Sequence, residues 1–249
     1  MKLPDNADSF VDSVFKTGKQ LIDQGFWEIQ TSRFDGWVSQ FCGKEEQFFA
    51  ACLLDQTIIR SRPQFESALR SLFRSNVNHT IFRNHHDLRL TEVLRFDVDP
   101  RVRLVPVICE TDPPTKSGPL VLRRLQRLLQ LRAKWMCWPW QAQDAVDQHG
   151  VDTIIFVDDF LGSGDQFSRF FDQWGFQQHT DLGVTYVYAP VVAHDNGLKF
   201  LSSIMPTVTV ECSEKLGYDH SFFRDCLWEQ LSHGQISGAE APSVKVVGT

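Results

Sequence analysis

From Arg101 to Val210, short β-rich runs alternate with stretches of helical periodicity, and this alternation constrains the fold more than any other feature of the chain. Strands are expected at Arg103–Cys109, Thr153–Val157, Val184–Ala189 and Thr207–Val210. Helices are expected between them, over Leu120–Lys134, Gln166–Trp174 and Gly197–Ile204. A strand that returns through a helix to a strand of the same direction builds a parallel sheet covered on both faces. The expected class is α/β, with a mostly parallel sheet. Pro106 belongs at an edge or bulge of that sheet, because proline cannot donate to a ladder.

Ahead of this region, from Ser9 to Arg74, apolar residues recur three and four apart: Phe10, Val14 and Leu21, then Phe34, Trp37, Val38 and Phe41, then Phe48, Cys52 and Leu53. That spacing is helical. An all-helical subdomain is therefore expected over residues 1–78, an α/β domain over 79–233, and a small, polar, mobile tail over 234–249.

Composition narrows the class. The 249 residues carry 25 Lys+Arg against 31 Asp+Glu, a net charge of −6, and 42% are hydrophobic, as in ordinary globular proteins and unlike disordered or collagenous ones. Residues Met1–Asn6 lack the apolar core of a secretion signal, and no apolar run approaches the roughly 20 residues of a membrane helix. Cys42, Cys52, Cys109, Cys137, Cys212 and Cys226 form no C-x-x-C pair. They read as reduced, buried thiols, and a cytoplasmic protein is expected. No G-x-S-x-G, Walker loop or complete dinucleotide fingerprint occurs, which argues against a common hydrolase, a P-loop NTPase and a Rossmann oxidoreductase.

The chemistry concentrates in Ile154-Ile155-Phe156-Val157-Asp158-Asp159-Phe160-Leu161-Gly162-Ser163-Gly164-Asp165. An apolar strand runs into two acids, then a glycine-rich turn, then a helix. Open α/β sheets bind ligands just beyond the carboxyl ends of their strands, where Asp158 and Asp159 are expected to emerge. The amides of Gly162, Ser163 and Gly164 would cradle a phosphate at the helix start, with the Ser163 hydroxyl adding a hydrogen bond. The acids suit sugar hydroxyls and a divalent cation. The plainer reading is a solvated strand end followed by an ordinary glycine turn. In Val107-Ile108-Cys109-Glu110-Thr111-Asp112-Pro113-Pro114-Thr115-Lys116-Ser117-Gly118, a second strand leads through a polar turn to a helix. Lys116, Ser117 and Gly118 would offer an anion one cation and several amides, or simply lead into the helix.

The first motif resembles the phosphoribosyl-pyrophosphate signature of type I phosphoribosyltransferases. The resemblance implies that Asp158 and Asp159 hold the ribose 2′ and 3′ hydroxyls, that Gly162, Ser163 and Gly164 hold the 5′-phosphate, and that Lys116, Ser117 and Gly118 belong to the pyrophosphate loop. Where Gly162 and Asp165 stand, that family commonly has Thr or Ser and a small residue, respectively. Asp165 is open to a second role as helix N-cap. Together with the helical segment Phe34–Phe73, the two motifs are similar to bacterial conflict-system phosphoribosyltransferase-like proteins. This implies transfer at an anomeric carbon with Mg²⁺, and a role as an effector of antiphage defence. The implied partners are a reverse transcriptase with its noncoding RNA product, or another defence subunit. A non-catalytic nucleotide sensor, or a partner- or nucleic-acid-binding subunit of a defence complex, is the alternative.

Three further features compete with plainer explanations. Pro113–Gln143 holds Lys116, Arg123, Arg124, Arg127, Arg132 and Lys134 and no acid, so it is either a solvated helix face or a contact for pyrophosphate, nucleic acid or an acidic partner. Trp135, Trp138 and Trp140 follow the last of these cations, and serve either packing or base stacking. His194-Asp195-Asn196-Gly197 either lines the base side of the crevice or forms a polar strand-to-helix turn. His85-His86-Asp87 is not expected to hold a metal, since adjacent side chains on a strand point apart.

Overall fold

A computed structural model describes residues 3–84, 90, 101–178 and 183–220. The described residues divide into two compact units, one running to Arg62 and taking in Tyr218–His220, the other lying within Pro63–Gly217.

In the first unit, helices α1 (Ala7–Asp23), α2 (Thr31–Val38) and α3 (Lys44–Gln56) follow the apolar spacing of the sequence. Phe48 is fully buried with Ala7 and Cys52, and its ring lies 5.7 Å from that of Phe10. The Glu46 carboxylate accepts from the amides of Cys42 and Gly43, so the otherwise unpaired donors at the start of α3 are satisfied.

The second unit opens with α4 (Arg62–Ser71), a π-helical turn over Leu72–Val77 and α5 (Asn78–Asn84). Sequence periodicity groups these helices with the preceding ones, up to residue 78, but they pack on the sheet. Leu69, Leu72, Phe73 and Val77 are fully buried in one cluster with Leu104, Ile155 and Val187. Asn76 donates to the Cys212 carbonyl at 2.9 Å, and the Thr80 hydroxyl to Glu211 at 2.6 Å.

The sheet itself comprises β1 (Val102–Pro106), β2 (Thr153–Leu161), β3 (Thr185–His194), β4 (Val208–Val210) and β5 (Glu214–Leu216). All pairings are parallel, in the order β1-β2-β3-β4, with β5 beside the far half of β3. The connecting helices are α6 (Ser117–Leu129), α7 (Pro139–His149), α8 (Asp165–Gln173) and α9 (Asp195–Ile204). Strand alternation sends Leu104, Ile155, Val157, Val187 and Ala189 to the face that α6 covers. It sends Val105, Ile154, Phe156, Tyr186 and Tyr188 to the face covered by α7, α8 and α9. The expected α/β class with a parallel sheet is what forms. Pro106 ends β1, where its missing donor costs no ladder bond. The residues expected as a tail and His85-His86-Asp87 lie outside the described residues.

Cys42, Cys52, Cys109, Cys137 and Cys212 are free thiols. Burial pushes Cys137 up to about 11 and Cys52 up to about 12, so both stay protonated and weakly nucleophilic. Among the described residues, no helix is long and apolar enough to cross a membrane.

Candidate functional site

The two sequence motifs meet at the carboxyl end of β1 and β2. The Ser117 hydroxyl, in the first residue of α6, donates to Asp159 Oδ1 at 3.0 Å. Forty-two positions of chain separate the pair. The contact is close because Gly118 lets the start of α6 lie directly on the end of β1. A Cβ at Gly118 would fall 2.5 Å from the Val107 carbonyl oxygen, inside any permitted contact.

The acid pair does not emerge beyond the strand as expected. β2 continues through Leu161, with Asp158 opposite Pro190 and Leu161 opposite Ala193. Alternation then separates the two carboxylates. Asp159 follows Ile155 and Val157 toward α6 and remains partly exposed. Asp158 follows Ile154 and Phe156 into the core and is only 1% exposed. Its Oδ1 accepts from the Asp159 amide at 3.0 Å and its Oδ2 from the Tyr188 hydroxyl at 3.1 Å. Burial, and then the neighbouring Asp159 charge, raise the Asp158 carboxyl well above the usual carboxylate range. Burial and Asp158 in turn raise the Tyr188 phenol. Of the pair, Asp159 is the one a ligand can reach.

The glycine-rich turn has a second explanation besides phosphate. Gly164 adopts φ +96°, a left-handed conformation, and a Cβ there would lie 2.6 Å from the Phe200 ring. The N-cap of α8 is Gly164 rather than Asp165. Asp165 is the first helical residue, and its Oδ2 accepts the Ser163 hydroxyl at 2.7 Å. A carboxylate thus stands in the turn expected to receive a phosphate. Gly162 leaves its carbonyl open to the start of α9, where a Cβ at Gly197 would sit 2.3 Å from the Gly162 oxygen. Gly197→Ala must push α9 off this loop and should cost about 1–3 kcal/mol, checked by urea denaturation.

Lys116 is paired with Asp112 at 3.5 Å, and both side chains are about one-fifth exposed. Asp112 also accepts from the Cys109 amide at 2.8 Å, which fixes the turn between β1 and α6. His194 Nδ1 accepts from the Asn196 amide at 3.1 Å, as the N-cap of α9. It makes the polar strand-to-helix turn that was one of its two readings. Sequence reasoning passed over Asp112, Tyr188 and the Ser163–Asp165 pair. Tyr188 had a signal, since a tyrosine on the buried face of an apolar strand needs a partner for its hydroxyl.

A family model, PRTase-CE, matches residues 34–242. The chain belongs to the PRTase-CE family. It is a phosphoribosyltransferase-like protein, and the match takes in both motifs and the whole sheet. No curated protein and no solved structure matches the chain.

Proposed function

We propose that the chain binds a ribose-phosphate ligand, phosphoribosyl pyrophosphate or a nucleotide, together with Mg²⁺, and transfers the phosphoribosyl group at the anomeric carbon. The observation that carries this reading is the Ser117–Asp159 hydrogen bond, which joins the two loops that such a ligand must bridge. Asp159 accepts from the ribose hydroxyls. Ser117, the amides at the start of α6, and Lys116, once released from Asp112, receive the pyrophosphate. The Gly162–Gly164 turn faces the 5′-phosphate. The anomeric C–O bond breaks with pyrophosphate taking the bonding electrons, a lone pair of an acceptor closes on the anomeric carbon, and the acceptor's proton passes to solvent, so orientation of the ribose and charge stabilisation are the protein's tasks.

Among the described residues, no group of three or more His, Cys, Asp or Glu side chains could hold a metal alone. Magnesium commonly rests on one or two carboxylates with substrate oxygens completing its shell, and the partly exposed Asp159 fits that use. When bound, the ion would neutralise charge on the pyrophosphate. The family's conflict-system association supports a role in antiphage defence, as an effector or as a subunit beside a reverse transcriptase and its noncoding nucleic acid.

Titration calorimetry with phosphoribosyl pyrophosphate and Mg²⁺ tests the reading. The unaltered chain should bind, and Asp159→Asn, which keeps an oxygen for Ser117, should bind about tenfold or more weakly. Absence of binding, or affinity unchanged in Asp159→Asn, would overturn the assignment. The Ser163–Asp165 contact favours a second reading, a ligand sensor without turnover, because a carboxylate held beside the loop displaces the 5′-phosphate from the alignment that transfer needs while Asp159 and Ser117 still hold the ligand. Binding without release of pyrophosphate would mark that case.

A further inference from the structure

We infer that the exposed face shared by α6 and the start of α7 is a docking surface for single-stranded nucleic acid. Trp138 and Trp140 stand at the N-terminus of α7, their rings stacked 5.1 Å apart at an interplanar angle of 5°. They are 42% and 52% exposed, although indole is among the costliest side chains to leave in water. Trp140 extends the row to Trp174, 5.8 Å away. Trp138 walls a cleft of about 320 Å³ that is also lined by Pro106, Leu122, Arg123, Gln126 and Gln141.

The sequence segment that builds this face carries charge of one sign. From Pro113 to Gln143 the sequence holds six cations and no acid, in a chain of net charge −6. Arg123 and Arg127 are exposed four residues apart on one face of α6, and among the described residues no ion pair or hydrogen bond engages either guanidinium. Asp112 and Asp144 bound the stretch, and Asp112 is taken up by Lys116. Packing does not explain the pair of stacked indoles, and intramolecular salt bridges do not explain the arginines. Unstacked bases on aromatic faces beside arginines that follow the phosphates satisfy both. A duplex satisfies only the charge, because its bases are already stacked. The surface is independent of Asp159 and the ribose-phosphate reading.

Fluorescence anisotropy with a labelled thymidine oligomer of about 15 nucleotides tests the inference on the full chain. Trp138→Ala/Trp140→Ala should weaken binding by roughly fivefold to a hundredfold or more, while Trp138→Phe/Trp140→Phe retains most of it. Arg123→Gln/Arg127→Gln should flatten the plot of log affinity against log salt by about 1.4. All four substituted positions carry exposed side chains, so circular dichroism should report an unchanged fold. No binding at low salt, or tryptophan substitutions that leave the affinity unchanged, would overturn the inference. So would polyglutamate binding equally well with the same losses, which would mark the surface as one for an acidic protein.

Discussion

Phe156→Ala is expected to cost the sheet-bearing unit about 3–5 kcal/mol. The ring is fully buried and has five aromatic neighbours, Phe167, Phe170, Phe171, Phe176 and Tyr186, at centroid distances from 4.9 to 5.9 Å. Four of the five meet it tilted or edge-on, which adds quadrupole attraction to the burial. Three of those neighbours are on α8, which is short, so removing Phe156 takes away much of what holds the helix on the sheet. With domain stabilities of about 5–15 kcal/mol, such a loss is a large fraction of the whole. Urea unfolding followed by circular dichroism should show a marked fall in midpoint, while Leu120→Ala, at a side chain 51% exposed, should leave it within about 0.5 kcal/mol. A Phe156→Ala midpoint as little changed as that of Leu120→Ala would show that the aromatic cluster is not the core of this unit.

The same cluster shows what could be read in the sequence. The alternation of Ile154, Phe156 and Asp158 against Ile155, Val157 and Asp159 was visible, and so was the parallel α/β plan. What the pattern did not reveal was that the strand continues past its charges. An acid normally ends a buried strand, but Asp158 stays inside because Tyr188, thirty residues away, and the Asp159 amide give its oxygens partners. Helix α7 escaped notice because Trp140, Gln141, Gln143, Asp144 and Gln148 blur its apolar stripe; Pro139 at its first position was the available sign. The glycines of both motifs were legible as special, but not for one reason. Gly118 and Gly164 are needed for close packing against Val107 and Phe200, whatever ligand the loops receive.

Asp158→Asn is expected to make the chain more stable than the unaltered protein at about pH 8, with the advantage shrinking to nothing near pH 4. The sign follows from the direction of the shift. In the unfolded chain the carboxyl titrates near 4, whereas in the folded chain burial, and then the Asp159 charge, hold it well above that value. Between the two values the folded state binds a proton that the unfolded state has released. Stability is therefore greatest below the unfolded value and declines as pH rises through the window, reaching its floor above the folded value, where an ionised carboxylate sits in the core. Asparagine carries no charge at any pH, so the decline attributable to this residue disappears. Its amide oxygen still accepts from the Asp159 amide, and its N–H can donate to the Tyr188 oxygen. Thermal midpoints measured from about pH 4 to 8 check this; parallel curves for the two proteins would show that Asp158 holds no proton. Tyr188→Phe should act in the opposite sense and steepen the decline, since the phenol donates to the ionised form. While Asp158 keeps its proton, Asp159 is the single negative charge of the pair that a ligand's phosphates must approach, so the burial of Asp158, which Tyr188 only partly offsets, also sets the electrostatics of the open face.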